Sequence, residues 1–421
     1  MKNSVYFIFV GLLLSVASCM SRQDRLRKQF GVENEDSIVN ITEQLCIKDS
    51  CTTIKLEHLD PTKLAVTKLE DIFDTLHYIN LETADDFIVG EISKIDILKD
   101  TIYILDRKTK SIYTFTINGK KVRRIGQIGN GPGEYSEPTS MSVTNDHIFV
   151  YDQWQQKVVK YNHYGDVISD HKLPFFCQKV LMLENEDMLC FGAGMDNHHL
   201  SKIVNYCFWQ CDSSYSKISK VGLFSENSKT IINGDIPLEH YNGYYYYYHF
   251  KTNDFYQILP DGNINHLVHF EFNPEYSDEF YTNIDYMFKE IEENNAMTIS
   301  SVFETDKHLI YGVLGYGWVH CFFYNKLDKT CRDITIANQI ESNLTRVLPF
   351  YSPLYVHGDC IVFNYNVSNL IKRYKKTMDE YPDLWAGAPD HVREFDKKLL
   401  ESLHEEDNDI LVFAKIKEHF D

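Results

Sequence analysis

The sequence lacks an excess of basic charge. Its 42 Lys and Arg residues face 61 Asp and Glu residues, giving a net charge of −19 at pH 7. A nucleic-acid binder needs a cationic footprint to displace counterions, so no nucleic-acid partner is expected. Catalytic signatures are missing too. There is no Gly-x-Ser-x-Gly elbow, no His-Glu-x-x-His pair and no convincing triad order. No Gly-Lys-[Ser/Thr] run opens a helix, as a phosphate loop would require. No Cys-x-x-Cys pair or Cys/His ladder offers a metal framework. Catalytic residues, metal ligands and cofactors are therefore all left unassigned.

Long apolar runs are also scarce. The one at the N-terminus, "VYFIFVGLLLSVA", is too short to cross a bilayer comfortably and follows Lys2. It reads as the core of a signal peptide over residues 1–18. "VASC" resembles a bacterial lipobox ending at Cys19, which would become the lipidated first residue of the mature chain. The expected partner is thus a membrane, reached through a lipid anchor in the cell envelope. The next residues, "MSRQDRLRK", carry little acid, which favours the periplasmic face of the outer membrane over the cell surface. Residues 19–60 read as a polar tether with one short strand at "TTIKL".

Nine cysteines follow Cys19, an odd number. Cys46 and Cys51 are close enough in sequence to bridge. Cys177, Cys190, Cys207, Cys211, Cys321, Cys331 and Cys360 lie in apolar, strand-like runs and are expected as small buried hydrophobes.

Aromatic residues are abundant: 28 Tyr and 26 Phe. Both suit a pleated, half-buried surface, which favours β structure. "TIYILDRKTKSIYTFTINGK" from Thr101 aligns without a gap on "HIFVYDQWQQKVVKYNHYGD" from His147. Ile102, Asp106, Ile112, Phe115 and Gly119 match Ile148, Asp152, Val158, Tyr161 and Gly165, each at an offset of 46. A period of that length built from short strands indicates propeller blades. Each unit reads as strand, polar turn, strand, tight turn and a more charged outer strand, with Asn118-Gly119 as a hairpin turn. Asp106 and Asp152 end their strands, where a carboxylate accepts hydrogen bonds from turn N–H groups.

Between these units lies "IGQIGNGPGEYSEP", with Gly126, Gly129, Gly131 and Gly133. No helix follows it, so it reads as the link from an outer strand to the next inner strand. Glu134 is expected to tie it by accepting backbone N–H bonds. Weaker copies follow, and helical inserts interrupt them. Phe280, Ile284, Met287 and Ile291 would line one face of the first insert. Val392, Phe395, Leu399 and Leu403 would line the second, with Asp390 as its N-cap. "LHYINLE" and "DILVFAKIK" are strands at opposite ends of the repeats, placed to share a sheet and close a ring.

The order "LHYINLETADDFIVGEISKI", "IYILD", "GQIGNGPGEY" and a final "DILVFAKIK" resembles the six-bladed β-propeller lipoproteins of Bacteroidetes, relatives of NHL-repeat propellers. The resemblance implies an all-β fold, a six-bladed β-propeller with small helical inserts over residues 61–421. The blade number comes mainly from this resemblance, and it implies no defined activity.

"HYNGYYYYYHFK" is the most unusual strand. Alternation sends its tyrosines to both faces. They either pack between blades or, through Tyr244 and Tyr246, form an aromatic platform for a ligand. Trp318 and His320 in "GYGWVH" offer a similar role. His198 and His199 would hold a metal only if carboxylates converged on them. Glu91 and Asp96 are the acids seen on inner-strand segments. Two readings of function stand. One is a non-enzymatic, envelope-anchored propeller that binds a small molecule, glycan or protein, linked to glycan or peptide uptake. The alternative is a metal-dependent, lactonase-like hydrolase or lyase, which needs three or more carboxylates or amides meeting on the axis.

Overall fold

The structure is a computed structural model that describes residues 21–45, 47–56, 67–192, 194–224, 238–259, 263–315, 318–334, 342–350 and 353–420. Its strands form six sheets, four of four strands and two of five. Each sheet is one blade, and the innermost strands of blades one to six, Lys94–Leu98, Pro138–Val143, Lys179–Met182, Leu238–Tyr241, Thr298–Glu304 and Tyr355–His357, meet one another around an axis. The chain is therefore a β-propeller, as the sequence pattern predicts, with the six blades that the family resemblance implies.

Blade one comprises Lys94–Leu98, Thr101–Asp106, Ser111–Thr116 and Lys121–Ile125. Blade two comprises Pro138–Val143, His147–Asp152, Lys157–Asn162 and Val167–Lys172. The middle strands are buried on both faces, and the outer strands are largely exposed. Both are antiparallel meanders, and the first three strands of every other blade run in the same way. Turns between the first and second strands thus share one end of the ring. Turns between the second and third share the other end with the blade-to-blade links.

The glycine-rich stretch is such a link. Gly126 and Gly133 have φ of 71° and 74°, a region where a side chain is disfavoured. Glu134 Oε2 accepts the Gly131 N–H at 2.8 Å. Asp152 accepts the N–H groups of Ser136, Glu137 and Gln155, and Asp106 accepts those of Gly90 and Thr109. The two repeated aspartates thus pin the link into their own blade to its second turn.

The ring closes in blade six. The strand Ile410–Ile416 pairs on one side with Cys360–Tyr365 and on the other with Phe73–Asn80. Residues from both ends of the repeat region therefore share one sheet.

The described residues between 21 and 56 differ from the tether expected over 19–60. Ser21 caps a nine-residue helix, α1 (Arg22–Phe30), which ends at Gly31 with φ 65°. β1 (Val39–Gln44) then adds in parallel to the outer strand of blade three, and β2 (Ile47–Leu56) to that of blade four. The strand at "TTIKL" is real but longer. The segment is held by the open edges of blades already formed, a partner that local sequence does not display. Cys19 and Cys46 lie outside the described residues.

The inserts pack on the propeller. The first splits at Asn283 into α2 (Asp278–Thr282) and α3 (Ile284–Glu293). Phe280, Met287 and Ile291 are buried, but the break turns Ile284 outward. The second holds Val367–Glu380, Pro382–Ala386 and Asp390–Glu401. Val392, Leu399 and Leu403 are buried, Phe395 is half-buried, and the N-cap is Pro389, one residue before the Asp390 expected there. Cys177, Cys190, Cys207, Cys211 and Cys321 are buried; Cys331 is exposed and Cys360 half-buried, each as the first residue of its strand, next to a turn.

Candidate functional site

A cavity of about 1100 Å³ opens at the end of the ring that carries the first turns of each blade. Three blades build it. In blade four, Asn242-Gly243 makes a two-residue hairpin with φ of 51° and 78°, which places Tyr244 at the start of the next strand. Asn242 reaches the corresponding turn of blade six. Its Nδ2 donates to Gly358 O at 3.1 Å, and Gly358 N–H donates back to Oδ1 at 2.9 Å. Blade five lies between them and contributes Glu304, His308 and Lys326.

The walls are polar and charge-paired. Lys326 meets Glu304 at 2.6 Å, Lys307 meets Glu418 at 2.7 Å, and Lys415 meets Asp359 at 3.9 Å. His308 is buried beneath them. Its burial, then the charges of Lys326 and Lys307, push its pKa down to about 4, so it is neutral at pH 7.

Tyr244 and Tyr246 both line this cavity, but differently. Tyr244 is 39% exposed and offers an open ring edge. Tyr246 is buried, stacked between Tyr241 (4.3 Å) and Phe255 (5.6 Å). Burial pushes its hydroxyl pKa well up, and Gln257 Nε2 donates to that oxygen at 3.4 Å. The other tyrosines are packing residues. Tyr245 OH donates to Met182 O, Tyr248 OH to Asn253 Oδ1, and Tyr247 packs on Phe208 and Phe191.

A second charged cluster lines the axis. Lys179 and Lys94 share the Glu239 carboxylate at 2.7 and 3.7 Å. Burial lowers the Lys94 pKa, while burial of Glu239 is outweighed by the two lysines, which hold it below its usual range. Tyr355 OH donates to Asp96, whose pKa burial raises to about 6. Here two ammonium groups face two carboxylates. Among the described residues, no group of three His, Cys, Asp or Glu side chains is arranged to hold a metal ion.

The family model of DUF4934, a domain of unknown function, matches residues 51–415. The chain belongs to the DUF4934 family. No curated protein matches it. Among solved structures, this DUF4934 protein is similar to an exported protein of Bacteroides fragilis, with a TM-score of 0.68 and 23% identity, covering 87% of this chain and all of that one. A DUF4221 member from Bacteroides vulgatus gives 0.49 and 10% identity over 82% of this chain and 97% of its own. Virginiamycin B lyase from Staphylococcus aureus gives 0.35 and 10% identity over 62% and 74%. The first likeness shows the fold, and the other two are too weak to argue from.

The DUF4934 chain does not bring the remaining expected residues to the cleft. Trp318 opens the strand Trp318–Asn325, and Lys326, just past its other end, borders the cavity. An eight-residue strand is about 25 Å long, so Trp318 starts at the opposite end of the ring. His320 is buried within blade five, with Nδ1 3.5 Å from Asp333. His198 pairs with Asp196 at 2.7 Å; His199 is buried, bonds Pro174 O and stacks on Phe30. Glu91 is exposed and precedes the inner strand. Sequence reasoning missed Lys94, Lys179 and Glu239. Their signal was a charged residue in the first two positions of each short inner strand, "KIDIL", "KVLM" and "LEHY".

Proposed function

We propose that this DUF4934 protein is a non-enzymatic binding module of the bacterial envelope, anchored through a lipidated Cys19. Its ligand is a glycan or peptide that enters the cleft between blades four and six, within an uptake system. The observation that carries the reading is the cleft itself. It combines the open ring of Tyr244 with paired lysines and carboxylates. Aromatic faces suit sugars and peptide side chains, and convergent polar groups fix orientation. Similarity in fold to an exported Bacteroides protein is in keeping with this setting.

Screening glycans and peptides against the soluble chain from Ser21 onward tests the reading. Tyr244→Ala is expected to raise Kd about tenfold, about 1.4 kcal/mol, with an unchanged melting temperature because the ring is exposed. Tyr246→Ala is expected to lose about 3–5 kcal/mol of stability, because that ring is stacked in the core. A ligand whose affinity ignores Tyr244→Ala does not use this cleft, and metal-dependent turnover of a lactone or ester would overturn the non-enzymatic reading.

Anchorage is tested separately. Two or three acyl chains hold a protein on a membrane far more firmly than one. Cys19→Ser is expected to move the protein from the membrane to the soluble fraction, or to block its processing. A variant that stays on the membrane and is processed normally would show that Cys19 is not the anchor.

A further inference from the structure

We propose that the end of the ring opposite the cleft rests on lipid headgroups, with Trp154, Ile128 and helix α1 as the contact. This rests on the anchored reading above. Arg22 follows Cys19 by three residues, a reach of at most about 11 Å. Since Arg22 already begins α1, an acylated Cys19 keeps this helix at the bilayer.

The rest of the contact is fixed to α1 through a chain of bonds. Phe30 of α1 stacks on His199 at 4.8 Å. His199 Nε2 donates to Pro174 O at 2.9 Å, and the adjacent Leu173 N–H donates to Gln156 O at 2.8 Å. Gln156 lies in the turn that carries Trp154, and Gln155 Nε2 in the same turn donates to Gly129 O, beside Ile128. Trp154 is 82% exposed and Ile128 53%. An exposed tryptophan and an exposed isoleucine, on two segments joined by the Gln155–Gly129 bond, suit the headgroup level of a bilayer, where Trp is enriched.

Charge selects the same end. The chain as a whole carries −19, which an anionic lipid surface repels. Helix α1 runs against that sign, with Arg22, Arg25, Arg27 and Lys28 against the single acid Asp24. Arg22 is paired with Asp196. Arg25 and Lys28 are exposed and three residues apart, on the face away from buried Leu26. Basic residues at this distance are attracted to an anionic lipid surface. So placed, the cleft opens away from the membrane, toward arriving ligand.

The test uses the full-length lipidated protein in vesicles of phosphatidylethanolamine and phosphatidylglycerol, brominated near the headgroup. The emission of Trp154 is the difference between the wild type and Trp154→Phe. On the vesicles it is expected to be quenched by bromine and shielded from acrylamide, relative to soluble Cys19→Ser protein. Arg25→Glu combined with Lys28→Glu is expected to weaken the quenching. If Trp154 emission ignores bromine and stays open to acrylamide on the vesicles, the orientation is wrong. Shielding in native membranes but not in pure lipid identifies a protein cover and also overturns it. If Cys19→Ser protein still binds vesicles with Trp154 quenched, the anchor fails and the orientation stands. If neither protein binds, both fail.

Discussion

Deleting residues 410–421 is expected to leave a chain that does not fold. The strand Ile410–Ile416 is the third of four in blade six and is paired along both edges. Ile410, Leu411, Val412, Phe413 and Ile416 are all buried. At about 1.5–3 kcal/mol for each buried apolar side chain, their loss approaches 10 kcal/mol. A domain holds only about 5–15 kcal/mol in total. The deletion also frees Phe73–Asn80, which has no other partner in that sheet, and exposes two strand edges that invite aggregation. Asn408 shows how tightly this region holds the ring. Its side chain accepts the Val89 N–H and donates to the carbonyls of Glu82 and Phe87, in the chain that leads into blade one. Circular dichroism and gel filtration of the truncated chain check the result. A melting curve like that of the intact protein would refute closure by this strand.

How legible the sequence is follows from where each partner lies. Blades one and two are legible because each pairs strands adjacent in the chain, and Asp106 and Asp152 mark the same position in both. The closing strand is legible for a different reason: "DILVFAKIK" is too apolar to stay unpaired, and a ring needs a last partner. β1 is not legible, and of β2 only "TTIKL" is. "VNITEQ" is polar, and nothing local tells it to lie parallel to a strand some 180 residues away in the sequence. Helix α1 was legible in principle, since Ser21 and Gly31 are its caps, but its basic run reads as a solvated tether without Phe30's partners, Phe176 and His199. The cleft is the hardest feature. Its walls come from short polar turns of three blades and the C-terminal residues, and each turn alone signals only a reversal of the chain. The tyrosine run lies in a blade that borders this cleft, but its alternation could not show that Tyr244 is the exposed one of the five.

The second large effect is expected at Asp152. Asp152→Ala should destabilise the protein by about 3–5 kcal/mol. Asp152 is fully buried and accepts three backbone N–H groups, from Ser136, Glu137 and Gln155, plus the Ser136 hydroxyl and the Gln155 amide. Alanine leaves those donors without their acceptor, at about 1–3 kcal/mol for each group that stays buried. The pH dependence separates this role from simple packing. Burial alone would raise the Asp152 pKa, but the N–H groups of Gln155, Ser136 and Glu137 together outweigh it and hold the pKa below the usual value. A carboxylate depressed in the folded state binds fewer protons there than in the unfolded chain. Its stabilising contribution is full above the ordinary Asp value of about 3.9 and is lost as pH falls through the lower folded value. Urea unfolding of wild type and Asp152→Ala should therefore differ most near neutral pH, and the gap should narrow as the pH drops below about 4. A gap that stays constant across that range would mean that Asp152 supports the link by shape and not by its charge.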